Sequence, residues 1–224
     1  MSEARLPPLL DHEALERSAV VANNRMNRER RLRGYDRELG LDIAAFLTSR
    51  PGARWLDLCC GTGLALFEAA HAVAGELEIV GVDLVDFFAG PSRPPRLRLT
   101  TASVTAWEPA GSFDLITSVH GLHYVGDKLG VIARAAGWLT ADGLFVANFD
   151  ARSIRRDNGA PAGARLTHAL RAAGLDYDAR TKRIRCAGRR EAGLPFTFVG
   201  ADDRAGPNYT GQPAVDSHYA GLAA

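Results

Sequence analysis

Residues Trp55–Gly63 read W-L-D-L-C-C-G-T-G, an apolar run that stops at two closely spaced glycines. A helical pattern, LALFEAAHAVA over 64–74, follows at once and is stopped by Gly75. A strand that turns tightly into a helix builds the crevice in which open α/β sheets bind ligands. Gly61 and Gly63 let the backbone turn and approach a ligand with no side chain in the way. The helix N-terminus adds free N–H groups and a partial positive charge, which suit a carboxylate.

The same alternation runs outward from Arg54 to Asp150. Further apolar runs are LEIVGVDL (77–84), LRLTTA (97–102), FDLITSVH (113–120) and GLFVANFD (143–150), and DKLGVIARAAGWL (127–139) has helical spacing. Near-continuous apolar strands separated by helices imply a parallel sheet covered on both faces. The fold is therefore read as α/β, a doubly wound sheet. Residues 13–50 read as helical around a polar, basic block, NNRMNRERRLRGYDREL (23–39). Beyond 151 come a helix near 162–173 and a strand near 180–187. LPFTFVG (194–200) is a second strand, and these two late strands are expected to pair as a hairpin at one sheet edge. The Gly/Pro-rich tail after it reads as too irregular for a regular element and too long for an ordinary connection.

Composition narrows the class. A chain of 224 residues with 46% hydrophobic and 24% charged residues can fill one sizeable core. A formal charge of +1 gives no global attraction to nucleic acid or membrane. Three cysteines, two of them adjacent (Cys59, Cys60), make no disulfide framework, which points to a reducing compartment and a cytoplasmic protein. The N-terminus lacks the charged head and apolar run of a secretory signal. No stretch approaches the ~18 apolar residues of a membrane helix.

Two cofactor classes use such a glycine turn. A dinucleotide needs G-x-G-x-x-G, and Leu66 stands at the third glycine's position. Adenosylmethionine has no phosphate, so that glycine has no role for it; Asp57, awkward beside a pyrophosphate, is welcome beside an ammonium. The second strand ends at Asp83, twenty positions after Gly63, where a carboxylate accepts hydrogen bonds from both ribose hydroxyls.

At these residues the chain resembles class I SAM-dependent methyltransferases. D-L-C-C-G-T-G is similar to that family's first motif and IVGVDL to its second. TASVTAWEPAGSFDLITSVHGLHYV (100–125) resembles the third and fourth motifs, and WLTADGLFVANFD (138–150) the helix-turn-strand after them. The resemblance implies a Rossmann-like, seven-stranded, mostly parallel sheet with a late antiparallel edge hairpin, and S-adenosyl-L-methionine as cofactor. It implies that Cys59, Cys60, Gly61 and Gly63 hold the methionine part, that Asp57 meets its amino group, and that Asp83, with Leu84 beside it, binds the ribose. Ser103, with Val104, would face the adenine amino group in place of a usual acid. Val119 and His120 would lie beside the methyl group, and Tyr35, on an N-terminal lid helix, would touch the cofactor carboxylate. The expected organisation is a helical lid over 1–50, a SAM-binding domain over 51–202 and a tail over 203–224.

Methyl transfer is an in-line displacement, so the protein must align a nucleophile and take its proton. His120 and His123 are the candidate bases, since histidine titrates near neutral pH. Tyr124, Asn148 and Asp150 are candidate contacts to a polar substrate group, and Arg25 or Arg30 to an anionic one. Asn208, Tyr209 and His218 make the tail a candidate cover for the site. His120, His123 and Asp127 could ligate a metal by residue type, but no further Cys, His or acid cluster supports such a site, and none is expected. The function read is methylation of a small molecule at O, N or C by a monomer or homodimer. Its rivals are a SAM-binding enzyme that catalyses cyclisation or elimination, a cofactor-binding partner subunit, and an RNA methyltransferase. The last is weakened because no aromatic residues interleave with the arginines.

Overall fold

The computed structural model describes residues 8–24 and 30–221; Arg25 and Arg28 lie outside them. Seven strands form the main sheet: β1 (Ala53–Leu58), β2 (Leu77–Asp83), β3 (Leu97–Thr101), β4 (Phe113–Ser118), β5 (Leu139–Asn148), β7 (Asp176–Asp178) and β8 (Arg183–Ala187), with β6 (Ile154–Arg156) outside it. Their order is β3-β2-β1-β4-β5-β8-β7. The first five run parallel, and β8 pairs antiparallel with both β5 and β7. This is the doubly wound, seven-stranded sheet with an antiparallel edge that the sequence implied.

Side-chain alternation divides the core. Trp55, Ile79 and Leu115 point to the face covered by α3 (Leu32–Leu39), α4 (Ile43–Thr48) and α5 (Leu64–Ala72), which follow the short α1 (His12–Glu16) and α2 (Ala19–Asn24). Leu56, Val80 and Ile116 point to the face covered by α6 (Lys128–Gly137) and α7 (Gly163–Ala172). With both faces covered, β1 is buried at every position but Arg54. Leu66 fits on α5 because β2 carries Gly81, where a Cβ would stand 2.6 Å from the Leu66 side chain. The glycine that allows close packing lies on the strand, so the helix has no need of the one a dinucleotide turn would place there.

Two expectations at the C-terminal end are corrected. The edge hairpin joins β7 to β8, while LPFTFVG leaves the main sheet altogether. Its strand, β9 (Thr197–Asp202), pairs antiparallel with β10 (Asp216–Ala220), which runs parallel to β6, in a separate three-stranded sheet. The tail thus contains a strand. Its glycines and prolines gather at 206–213, where Pro207 bridges to Pro213 across a turn, and this leaves 216–220 free to pair. Among the described residues no helix is long and apolar enough to cross a membrane.

Candidate active site

The strand order reverses between β1 and β4, and at that switch point the C-terminal ends of β1, β2 and β4 surround a cavity of about 980 Å³, its open mouth included. Cys59, Cys60 and Gly61 line it from the glycine turn, and Asp83 and Leu84 from the end of β2. Ser103 and Val104 do so from the loop after β3, and Val119, His120 and Tyr124 from the end of β4. Tyr35 and Arg30 close one side; His12, Leu15 and Glu16 of α1 close another.

Two residues at this crevice hold left-handed backbone without being glycine: Cys59 at φ 59° and His120 at φ 58°. Such conformations cost of order 1 kcal/mol or more and persist where the surroundings enforce them. Gly121 permits it, since a Cβ there would meet the Cys59 Cβ at 2.3 Å. Asn148 enforces it, because its Oδ1 accepts the His120 N–H at 3.2 Å.

Beneath the turn lies a closed hydrogen-bond chain. Trp55 Nε1–H donates to Thr117 Oγ1 at 2.8 Å, Thr117 donates to Asp57, and the Tyr35 hydroxyl donates to the other Asp57 oxygen at 2.8 Å. Asp57 is fully buried and does not line the cavity. Burial raises its carboxyl pKa to about 7, against the opposing hydrogen bonds of Thr117 and Tyr35. Burial first, and Asp57 next, hold the Tyr35 phenol well above its ordinary value, so its one proton stays on Asp57. Burial also pushes the Cys59 and Cys60 thiols well up, so neither is a reactive thiolate.

At the other end of the cavity His120 is almost fully buried, with both ring nitrogens engaged. Nε2 stands 3.2 Å from Glu38 and Nδ1 3.3 Å from His123 Nε2. Glu38 reaches there because α3 is held at both ends. Glu68 accepts the Leu32 N–H at 2.7 Å, while Arg183 and Arg185 of the edge hairpin donate to the carbonyls of Glu38 and Leu39 at 2.6 and 2.9 Å. The Tyr209 ring of the tail lies 6.1 Å from that of His120 and 5.3 Å from that of His123.

The family model described as "Methyltransferase domain" matches residues 26–191. The chain belongs to the methyltransferase domain family. Among curated proteins it is similar to nocamycin O-methyltransferase of Saccharothrix syringae, 35% identical over 102 residues covering 42% of this chain and 36% of that protein. It is also similar to ubiquinone biosynthesis O-methyltransferase of Xanthomonas campestris pv. campestris, 32% identical over 149 residues covering 62% of this chain and 56% of that protein. The chain thus spans between about a third and somewhat over half of the length of these relatives. Among solved structures, N-methyltransferase NodS of Bradyrhizobium japonicum WM9, in complex with S-adenosyl-L-homocysteine, aligns with a TM-score of 0.48 and 17% identity over 80% of this chain and 97% of that one.

Within this methyltransferase domain, five of the candidate catalytic, cofactor and substrate residues do not line the cavity, namely Asp57, Gly63, His123, Asn148 and Asp150, nor do the tail candidates Asn208, Tyr209 and His218. Gly63 is instead the N-cap of α5, at φ 71°. His123 stands behind His120, and its carbonyl accepts the Val215 N–H at 3.0 Å. Asn148 is occupied by the His120 backbone. Asp150, expected at the substrate, caps the turn Ala151–Ser153 and pairs with Arg152 at 3.1 Å and Lys182 at 3.7 Å. Burial would raise its pKa, but the Arg152 hydrogen bonds hold it below the ordinary carboxyl value. Of the basic block, Arg31 and Arg33 are exposed, whereas Arg30 donates to the Val119 carbonyl at 3.3 Å. His218 is buried beside the Arg156 carbonyl, away from the cavity lining. Among the described residues no three His, Cys, Asp or Glu side chains gather as a metal site.

Sequence reading missed Glu38 and Glu16. Glu38 was within reach: it follows Tyr35 by three positions, so one helical face presents both. Glu16 gave no such signal, because its partner Ser103 is 87 residues away.

The buried Asp57 gives a pH prediction. Its folded pKa of about 7 lies above the ordinary 3.8, so the folded state retains a proton that the unfolded state has lost between those values. Stability from this group is complete below about pH 4 and is lost as pH rises through about 7. Relative to Asp57→Asn, which has no such proton, wild type should lose up to roughly 1.4 kcal/mol per pH unit across that window. Urea unfolding of both proteins from pH 4 to 8 measures the difference; a constant gap would mean that Asp57 is ionised throughout.

Proposed function

We propose that this chain binds S-adenosyl-L-methionine in the cavity and transfers its methyl group to a small-molecule acceptor at O, N or C, working in the cytoplasm. The observation that carries the reading is one continuous cavity running from the Asp83 carboxylate, past the glycine turn, to His120, whose ring pairs with Glu38. The donor set fits the cofactor. Asp83 lines the cavity with its carboxylate steadied by the Gly61 N–H at 2.8 Å and that of Val85 at 3.3 Å, and a carboxylate is the acceptor that a ribose diol calls for. Arg30 suits the methionine carboxylate. The Tyr35 proton is committed to Asp57, so its oxygen offers lone pairs to the methionine ammonium. Asp57 supports that contact from behind rather than making it. Buried neutral thiols at Cys59 and Cys60 leave no charge in the turn.

When bound, the cofactor supplies an electrophilic methyl group on a sulfonium sulfur. The chain's own residues have two tasks. The wall from Val119 to Tyr124 aligns the accepting atom, and His120 takes its proton on Nδ1, giving up the contact with His123 there while its Nε2–H stays on Glu38. The carboxylate beside the imidazole stabilises the cation formed. The O-methyltransferase activity in the names of two relatives supports an acceptor that loses a proton on methylation.

Calorimetric titration with S-adenosylmethionine, with NAD as control, tests the cofactor: micromolar binding of the first alone is expected, and binding of neither would refute the reading. Asp83→Ala should weaken that binding by about 1.5–3 kcal/mol, the cost of a lost hydrogen bond to a charged group. Unchanged affinity would move the ribose elsewhere.

A further inference from the structure

We infer that Arg183, on strand β8 of the edge hairpin, is a positioning residue for proton transfer: it fixes the end of α3 so that Glu38 meets His120. This rests on the acid–base pair proposed above. A helix leaves its last four carbonyls without partners of its own. In α3 they are taken by two guanidinium groups that stand 145 or 146 residues further along the chain. Arg183 Nε donates to the Glu38 carbonyl at 2.6 Å and its Nη2 to that of Arg37 at 2.9 Å. Arg185 Nη2 donates to the carbonyls of Leu39 and Gly40 at 2.9 and 3.2 Å. Two cations at this end also suit the negative pole of the helix. Arg183 is thus bonded to the residue whose side chain stands 3.2 Å from His120 Nε2.

Gly40 makes room for this contact. It caps α3 with left-handed backbone at φ 60°, and a Cβ there would stand 2.3 Å from Arg183 Nη1. The glycine that ends the helix therefore also lets the guanidinium lie against it. One turn earlier, Tyr35 has its own anchor in Asp57, so what Arg183 adds falls on Glu38. His120 is also faced by His123 from its own turn and by Tyr209 from the tail, but neither of these rides on α3. Arg183 bears on His120 in two opposed ways, and their sign separates them. As a cation alone it would disfavour the imidazolium; by placing Glu38 it favours it.

An NMR titration of the histidine side chains in the ligand-free protein tests the assignment. The His120 signal is identified by its loss in His120→Asn, and the exposed His71 and His168 serve as references. Glu38→Gln should lower the His120 midpoint by about one pH unit or more, the scale for losing an opposite charge at contact. Arg183→Met should lower it as well. Gly40→Ala keeps every charge and only crowds the guanidinium, and it should act in the same direction, with the references unmoved in both variants. A midpoint that rises in Arg183→Met would overturn the inference, since the arginine would then act as a charge. A midpoint that stays put in either variant would overturn it too, leaving Arg183 as a support of the hairpin. Should Arg183→Met fail to fold, Gly40→Ala decides alone. An unmoved midpoint in Glu38→Gln would refute the acid–base pair itself, and the inference with it.

Discussion

Replacing His120 with asparagine is expected to lower methyl transfer by about 10²- to 10⁴-fold, the usual contribution of a positioned general base. Asparagine is the informative choice because it tolerates the left-handed backbone that His120 holds at φ 58°, which alanine does so less readily. The backbone N–H can still reach Asn148 Oδ1, so the end of β4 should keep its shape and cofactor affinity should stay within a few-fold. The measurement is release of S-adenosylhomocysteine with any phenol or amine on which wild type turns over, beside calorimetry of cofactor binding. A fall in turnover below tenfold would remove His120 from proton transfer. A parallel loss of cofactor affinity would make it a wall of the cofactor site instead.

Glu38 sharpens this. With Nε2 facing Glu38 and Nδ1 facing His123, an acceptor meets a carboxylate–imidazole pair rather than a lone ring. The negative carboxylate favours the imidazolium that forms when the proton arrives, as an orienting acid does in other base–acid pairs. His123 is too deeply buried to meet substrate, and its effect would run through the ring of His120.

The central strands were legible because burial on both faces demands continuous apolar runs, and β1, β2 and β4 obey that rule. The second sheet was not. β6 is three residues long, and Ile154 pairs with Ser217 across most of the C-terminal region, so neither length nor local pattern announces the strand. β10 hides behind the Gly/Pro turn, which made the whole tail look irregular. The same division holds at the site. Gly61, Asp83 and His120 sit at strand ends, where topology alone puts ligand contacts. Glu16 and Glu38 meet their partners across long sequence separations, and only the docking of short helices brings them in. Asp57 shows a subtler limit: its residue type was legible but its depth was not, and the structure buries it fully beneath the turn with the Tyr35 hydroxyl donating to it.

Lys128 is the other residue whose loss should be severe, and for stability rather than chemistry. It is 1% exposed, and its Nζ donates to the carbonyls of Val125 and Val215 at 3.1 and 2.7 Å and to Ser217 Oγ at 2.8 Å. Three buried acceptors thus depend on one side-chain nitrogen, and two of them belong to the tail segment that brings Tyr209 over the histidines. Lys128→Met keeps the volume and strands all three, which should cost about 3 kcal/mol or more. For a chain of this size that is a fall in Tm of roughly 6–12 °C. The cost should also depend on pH. Burial lowers the Lys128 pKa to about 7, opposed by Asp216, Asp127 and Asp150, whereas the unfolded lysine titrates near 10.5. Between those values the unfolded chain binds the extra proton, so wild type gains stability as pH rises and Lys128→Met does not. The gap between the two should therefore widen from pH 7 to pH 10. A gap that stays constant would mean the ammonium remains charged in the fold, held by the three aspartates. Hydrogen exchange over residues 203–220 separates local from global loss: faster exchange confined to that segment would show that Lys128 fastens the tail, whereas uniform acceleration would make it a support of the whole fold.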